Sequence, residues 1–276
     1  TTGNFVPEIE KRRLVEDLAP FTVASITPVI VDPETLFLIL DVSAQFNSNL
    51  TTLASDDLQG TITNTLTNFN NNSLKTFNSA FRHSQVTKLI DDSDTSLTSN
   101  ITRVVLGKFF TPTLNESVGY TISFNNVIFN PHAGHNANEG GVIASTGFKV
   151  SGDTVNEMFL DEDGFGNIRR FYILAGEKKY VDNTAGTVNY GNGILSLNPL
   201  TINQVSDVDN TSSTQIRITT IPDSVDIIPV RNQLLEIDLV NTAVNVAIDR
   251  LGVGDINTVN TADLATSSFT KTVSGY

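Results

Sequence analysis

His132 and His135, three residues apart, are the only close pair of imidazoles in the chain and the first place to look for metal chemistry. Structural zinc takes four protein ligands, and catalytic zinc takes three plus a water. The sequence holds no cysteine and one other histidine, His83 beside Arg82, so Glu139 is the nearest source of a third ligand. An ordinary Gly- and Asn-rich loop is the expected reading, with a metal-assisted hydrolase built on His132 and His135 as the competing one. Asp161-Glu162-Asp163-Gly164-Phe165-Gly166-Asn167 looks like the opening of a calcium loop. However, Phe165 stands where an oxygen ligand is needed, and Tyr172 stands where the bidentate glutamate belongs. A hairpin turn between strands at Glu157–Leu160 and Ile168–Leu174 is expected instead. The glycine pairs around Phe165 and Asn192 precede no helix, so they cradle no phosphate. No G-x-S-x-G elbow or thiol is present, and the pairs Asp56-Asp57 and Asp91-Asp92 read as a helix start and a helix end. The residues thus predict no catalytic, cofactor-binding or metal-ligating side chain, no cofactor, and a protein that is not an enzyme.

The elements that would carry these residues fall into four segments. Residues 1–20 read as a linker and short helix, with Pro7 in the first turn, Leu14, Val15 and Leu18 on one face, and Pro20 as the stop. Residues 21–115 read as a small helix-on-sheet domain. Strands at Ile26–Val31 and Leu36–Val42 flank the Asp32-Pro33-Glu34 corner. A helix from about Asp56 to Phe69 follows, capped by Ser55, with Leu58, Ile62, Leu66 and Phe69 at helical spacing. Leu74 and Phe77 extend its apolar face. A second short helix, capped by Ser84, turns Val86, Leu89 and Ile90 inward, and a strand at Ile101–Phe110 closes the unit. Residues 116–250 read as a mostly antiparallel β domain of short runs separated by Asp-Gly, Gly-Asn and Asn-Pro turns. Residues 251–276 form an extended polar tail. The fold class expected is therefore α+β, with Pro112–Gly119 as a flexible joint.

Composition narrows the function classes. The 276 residues carry 17 basic and 30 acidic side chains, a net charge of −13, which repels nucleic acid. Lys11-Arg12-Arg13 is the one basic cluster, and the surrounding Glu8, Glu10, Glu16 and Asp17 make it a solvated helix face. The longest strongly apolar run, Leu36–Leu40, is far too short to span a bilayer. Asn alone outnumbers Lys and Arg together, which suits many short strands and turns. Neither a membrane nor a small-molecule substrate is indicated.

Several segments, in order, resemble one family. Ile26–Asn47, with its Val-Asp-Pro corner and aromatic-aliphatic strand, is the first. Leu74–Ser84, Val86–Asp91, Asn100–Lys108, Gly186–Leu195 and Pro229–Ile237 follow in the same order. Together they resemble the baseplate wedge proteins of contractile-tailed phages of the T-even type and their cyanophage relatives, a baseplate J-like family. The resemblance implies the C-terminal portion of such a protein, since the family's long N-terminal half has no counterpart here. It further implies a structural subunit of the virion, assembled in the host cytoplasm, that pairs as a homodimer. Such a subunit contacts other wedge and hub proteins and links wedges into a ring around the tail hub, which rearranges when the sheath contracts. The alternative from composition is a β-rich surface adhesin or carbohydrate-binding module.

Overall fold

The structure is a computed structural model that describes residues 7–22, 28–30, 32–135, 141–208 and 212–250. The tail at 251–276 and Glu139 lie outside the described residues, as do Ile26, Thr27 and Val31 of the expected first strand, whose residues 28–30 belong to no regular element.

Helix α1 (Glu8–Leu18) runs into a 3-10 turn at Ala19–Phe21, as Pro20 requires. Lys11 on α1 is bound by Glu8 at 2.7 Å and by Asp32 beyond the turn. Strand β1 (Glu34–Phe46) then supplies the centre of a sheet. Its alternate residues Leu36, Leu38, Leu40, Val42, Ala44 and Phe46 are buried, the period-two pattern of a half-buried strand. Each fully buried leucine there contributes roughly 1.5–3 kcal/mol.

Helix α2 (Ser55–Phe69) buries Leu58, Ile62, Leu66 and Phe69, the last three in one core with the buried side chains of β1. Ser55 is its first residue rather than its cap: the cap position is Ala54, whose N–H donates to the Asp57 carboxylate at 3.2 Å. A π-helical turn (Asn70–Leu74) follows, burying Leu74 but leaving Phe77 beyond it exposed. Helix α3 (His83–Asp91) buries Val86 and Ile90. Its cap comes from afar, because Asp226 accepts the His83 N–H at 2.9 Å while Ser84 lies inside the helix. Strand β2 (Leu97–Phe110) pairs antiparallel with β1, setting Leu106 against Leu38.

The chain then builds a second sheet from β3 (Ser117–Ser123), β5 (Phe148–Val150), β6 (Asp153–Glu162), β7 (Asn167–Leu174), β8 (Glu177–Asn189) and β9 (Ile194–Val205). Strand β4 (Ile143–Ser145), between β3 and β5, belongs to the first sheet. All pairings of the second sheet are antiparallel, and β8 pairs back onto β9, so β9, β5, β6, β7 and β8 close into a five-stranded barrel with β3 added on β9. Closure relies on Gly186, where a Cβ would collide with the Ser196 carbonyl oxygen.

After Val205 the chain returns to the first sheet. Strands β10 (Ile216–Thr220), β11 (Gln233–Ile237) and β12 (Ala243–Ile248), grouped by sequence position with the second unit, pair with β2 and β1 instead. Both β11 and β12 run parallel to β1, end to end along one edge. Non-local partners of this kind leave no mark in local sequence, and nothing near β12 marks it as a strand. The result is the expected α+β class, with a mixed sheet under helices and a mostly antiparallel barrel. Buried residues of both sheets, from Leu38 to Leu195, form a single core, and the chain passes between the sheets four times. A flexible joint at Pro112–Gly119 alone does not fit that: the other crossings and the shared core would have to yield with it.

Candidate functional site

The two segments singled out for chemistry meet. The His132–His135 loop lies on the Asp161–Asn167 turn, where the Gly134 N–H donates to the Gly164 carbonyl at 2.8 Å. Gly134 has a φ of +75°, and a Cβ there would strike the Phe165 ring, so this close approach needs glycine. His135 Nδ1 lies 2.9 Å from the His132 carbonyl oxygen, which fixes that nitrogen as the donor. Nε2 then faces the Glu162 carboxylate at 3.8 Å without a hydrogen bond, in a side chain only 8% exposed. His132 is exposed, its ring centroid 6.0 Å from that of His135. Among the described residues no group of three or more His, Asp or Glu is placed to hold a metal ion.

The turn is a hairpin, as expected. Asp163 accepts the backbone N–H groups of Phe165 at 2.8 Å and Asn167 at 3.0 Å. Burial pushes its carboxyl up, but these bonds and the Asn167 side chain outweigh that and hold it below its usual range.

Sequence reasoning did not find the buried charges on either side of this turn. Asp161, 2% exposed, accepts from Arg169 Nε at 3.0 Å, Lys178 Nζ at 2.9 Å and the Tyr180 hydroxyl at 2.9 Å. Arg169, 5% exposed, also donates to the Glu162 carbonyl at 2.7 Å and stacks 4.3 Å from the Tyr180 ring centroid. The fully buried Glu162 accepts from the Tyr190 hydroxyl at 2.7 Å, from the Gly164 N–H and from the Val142 N–H at 3.1 Å. Val142 leads into β4, so this one carboxylate ties the barrel to the first sheet.

Burial, reinforced by the bond to Asp161, pushes the Tyr180 phenol up to about 12, and burial with the bond to Glu162 raises Tyr190 as well. Both phenols therefore stay protonated donors. Carboxylates already engaged by cations, phenols and backbone N–H groups make a rigid clamp rather than an acid–base pair. The one signal available in sequence was the hairpin itself, which sets Asp161 in β6 opposite Arg169 in β7.

The surface offers edges and grooves. One groove of about 630 Å³ lies beside β12 and the start of α2, with Asp56, Gln59, Ser99 and Asn245 in its lining and no aromatic side chain. The edge of β11 is covered: Asn70, buried in the π-helical turn, accepts the Ile237 N–H at 2.8 Å and donates to the Ile237 carbonyl at 3.4 Å. The backbone carbonyl of Asn232 accepts the Glu34 N–H at 2.9 Å, just before β11 meets β1. No helix among the described residues is long and apolar enough to cross a membrane.

A sheet braced by helices, a barrel clamped to it and a site made of structural ion pairs define a rigid architectural module. Residues 34–108, from the start of β1 almost to the end of β2, match the family described as baseplate structural protein gp6, C-terminal domain III. The match agrees with the resemblance to baseplate wedge proteins of contractile-tailed phages and points to a structural role in a phage tail baseplate. No curated protein matches the chain.

Proposed function

We propose that the chain is a non-catalytic subunit of a baseplate wedge in a contractile phage tail. In this reading it is assembled in the host cytoplasm and then carried in the virion. The observation that carries the proposal is the match over 34–108, a segment that contains β1, α2, α3 and nearly all of β2. In this role the subunit pairs with a second copy and contacts other wedge and hub proteins, linking wedges into a ring around the hub. The ring changes shape on sheath contraction through interfaces between rigid bodies rather than by bending of this chain. The clamp of Glu162 between barrel and sheet supports that rigidity.

The test is location. Antibody raised against the chain should decorate the baseplate of contractile tails that carry it, seen by negative-stain electron microscopy. Labelling confined to the sheath, the capsid or the host surface would overturn the reading, and the last would favour the adhesin alternative.

A further inference from the structure

We propose that β12 pairs edge to edge with β12 of a second copy, antiparallel about a two-fold axis at Asn245, joining two first sheets into one. The inference rests on the self-association proposed above and adds the surface that performs it.

Strand β12 pairs with β1 on one side, and among the described residues no strand pairs with the other. Its six residues, Ala-Val-Asn-Val-Ala-Ile, include no charge and no proline, and the register with β1 runs without a bulge. Edge strands are normally blunted by such features. The other edges of this protein are blunted: Asn70 caps β11 at Ile237, β4 is three residues long, and β3 is broken by a bulge at Gly119. Large apolar side chains flank the bare edge, with Val240 88% exposed and Ile248 53%.

A two-fold axis perpendicular to the sheet places residues of like face opposite one another. With the axis at Asn245, Val244 on the buried face meets the partner's Val246, and the exposed Ala243 meets the partner's Ala247. Asp249 then lies opposite the partner's Asn241, and Arg250 lies opposite and covers the partner's Val240. No like charges are opposed. For a chain of net charge −13, that uncharged strip is what lets two copies approach.

The chain has no cysteine, so the register is testable by one substitution. Directly opposed residues have Cα atoms about 4.5–5.5 Å apart, within disulfide range. Under mild oxidation Asn245→Cys should give a covalent dimer on a non-reducing gel, while Thr154→Cys, exposed on β6, should stay monomeric. In sedimentation velocity, Asn245→Lys and Asn245→Asp should each weaken self-association at least about tenfold, because the two-fold axis opposes like charges. A mixture of the two should restore it, which a folding defect would not do. A wild-type dimer unaffected by either charge, with no cross-link at 245, would overturn β12 pairing and leave self-association standing. Equal cross-linking at 245 and 154 would also overturn it. A wild-type chain monomeric at every concentration, without a cross-link, would overturn both.

Discussion

Asp161→Asn removes the charge at the centre of the barrel clamp while keeping its shape. Asp161 and Arg169 are both almost fully buried and 3.0 Å apart. Removing one partner of a buried ion pair costs roughly 3–5 kcal/mol, because the other charge is left uncompensated. Here Arg169 keeps the Glu162 carbonyl at 2.7 Å and the face of Tyr180, and asparagine still offers an oxygen. The expected loss is therefore smaller, about 2–4 kcal/mol after that discount. At about 2–4 °C per kcal/mol for a chain of this size class, the fall in Tm is about 4–16 °C. Lys178 binds the same carboxylate from a partly exposed position, so Lys178→Ala should cost only about 0–1 kcal/mol. Urea unfolding followed by far-ultraviolet circular dichroism gives both free-energy changes, and a thermal scan with the same readout gives the Tm. Adding Arg169→Met to Asp161→Asn should recover at least half of the loss, since a neutral pair needs no counter-charge. An Asp161→Asn protein within about 0.5 kcal/mol of wild type, the usual range of surface substitutions, would refute the reasoning. So would an additive penalty in the double variant.

Asn70→Ala strips both side-chain bonds from Ile237 and leaves that backbone unsatisfied at a buried edge, so unfolding should cost about 1–3 kcal/mol less. An unchanged urea midpoint would show that the π-helical turn does not hold β11. The His83 N–H, and then Arg82, hold the Asp226 carboxyl below its usual range. A depressed carboxylate contributes stability that is complete above the unfolded value, about pH 4, and is lost as pH falls through the lower folded value. Wild type and Asp226→Asn should therefore differ in Tm at neutral pH and converge in strong acid; an equal gap at pH 2 and pH 7 would reject the cap.

Much of the helix-on-sheet layer was legible because its signals are local. The period of Leu58, Ile62, Leu66 and Phe69 gives α2, and the β-rich run Leu36–Val42 after the Asp32-Pro33-Glu34 corner gives β1. Most of what failed depended on distant chain. Ser55 and Ser84 have the right chemistry for caps, yet Asp57 and the remote Asp226 bind the exposed N–H groups instead. His135 and Glu162 looked unrelated at their separation in sequence, and only the fold of the 131–135 loop onto the β6–β7 turn brings them together. The strand at Ala243–Ile248 is silent in sequence for a similar reason: nothing near it turns back on it, and its partner β1 lies some two hundred residues earlier.

That return explains how a family match limited to residues 34–108 can sit in a larger whole. The matched segment supplies β1 and β2, which pair with each other and leave an edge open on each side. Strand β2 finds its second neighbour in β10, and β1 finds its own in β11 and β12, all of which follow the barrel in sequence. The strands of the second sheet are thus two excursions, separated by β4, made between two halves of one sheet. The entropy of closing such a loop rises only by about 0.6 kcal/mol for each doubling of its length, so a long excursion costs little more than a short one. Holding it still is the harder requirement. Glu162 meets it by fixing the β6 end to Val142 at the mouth of β4, turning an inserted barrel into an arm that moves with the sheet.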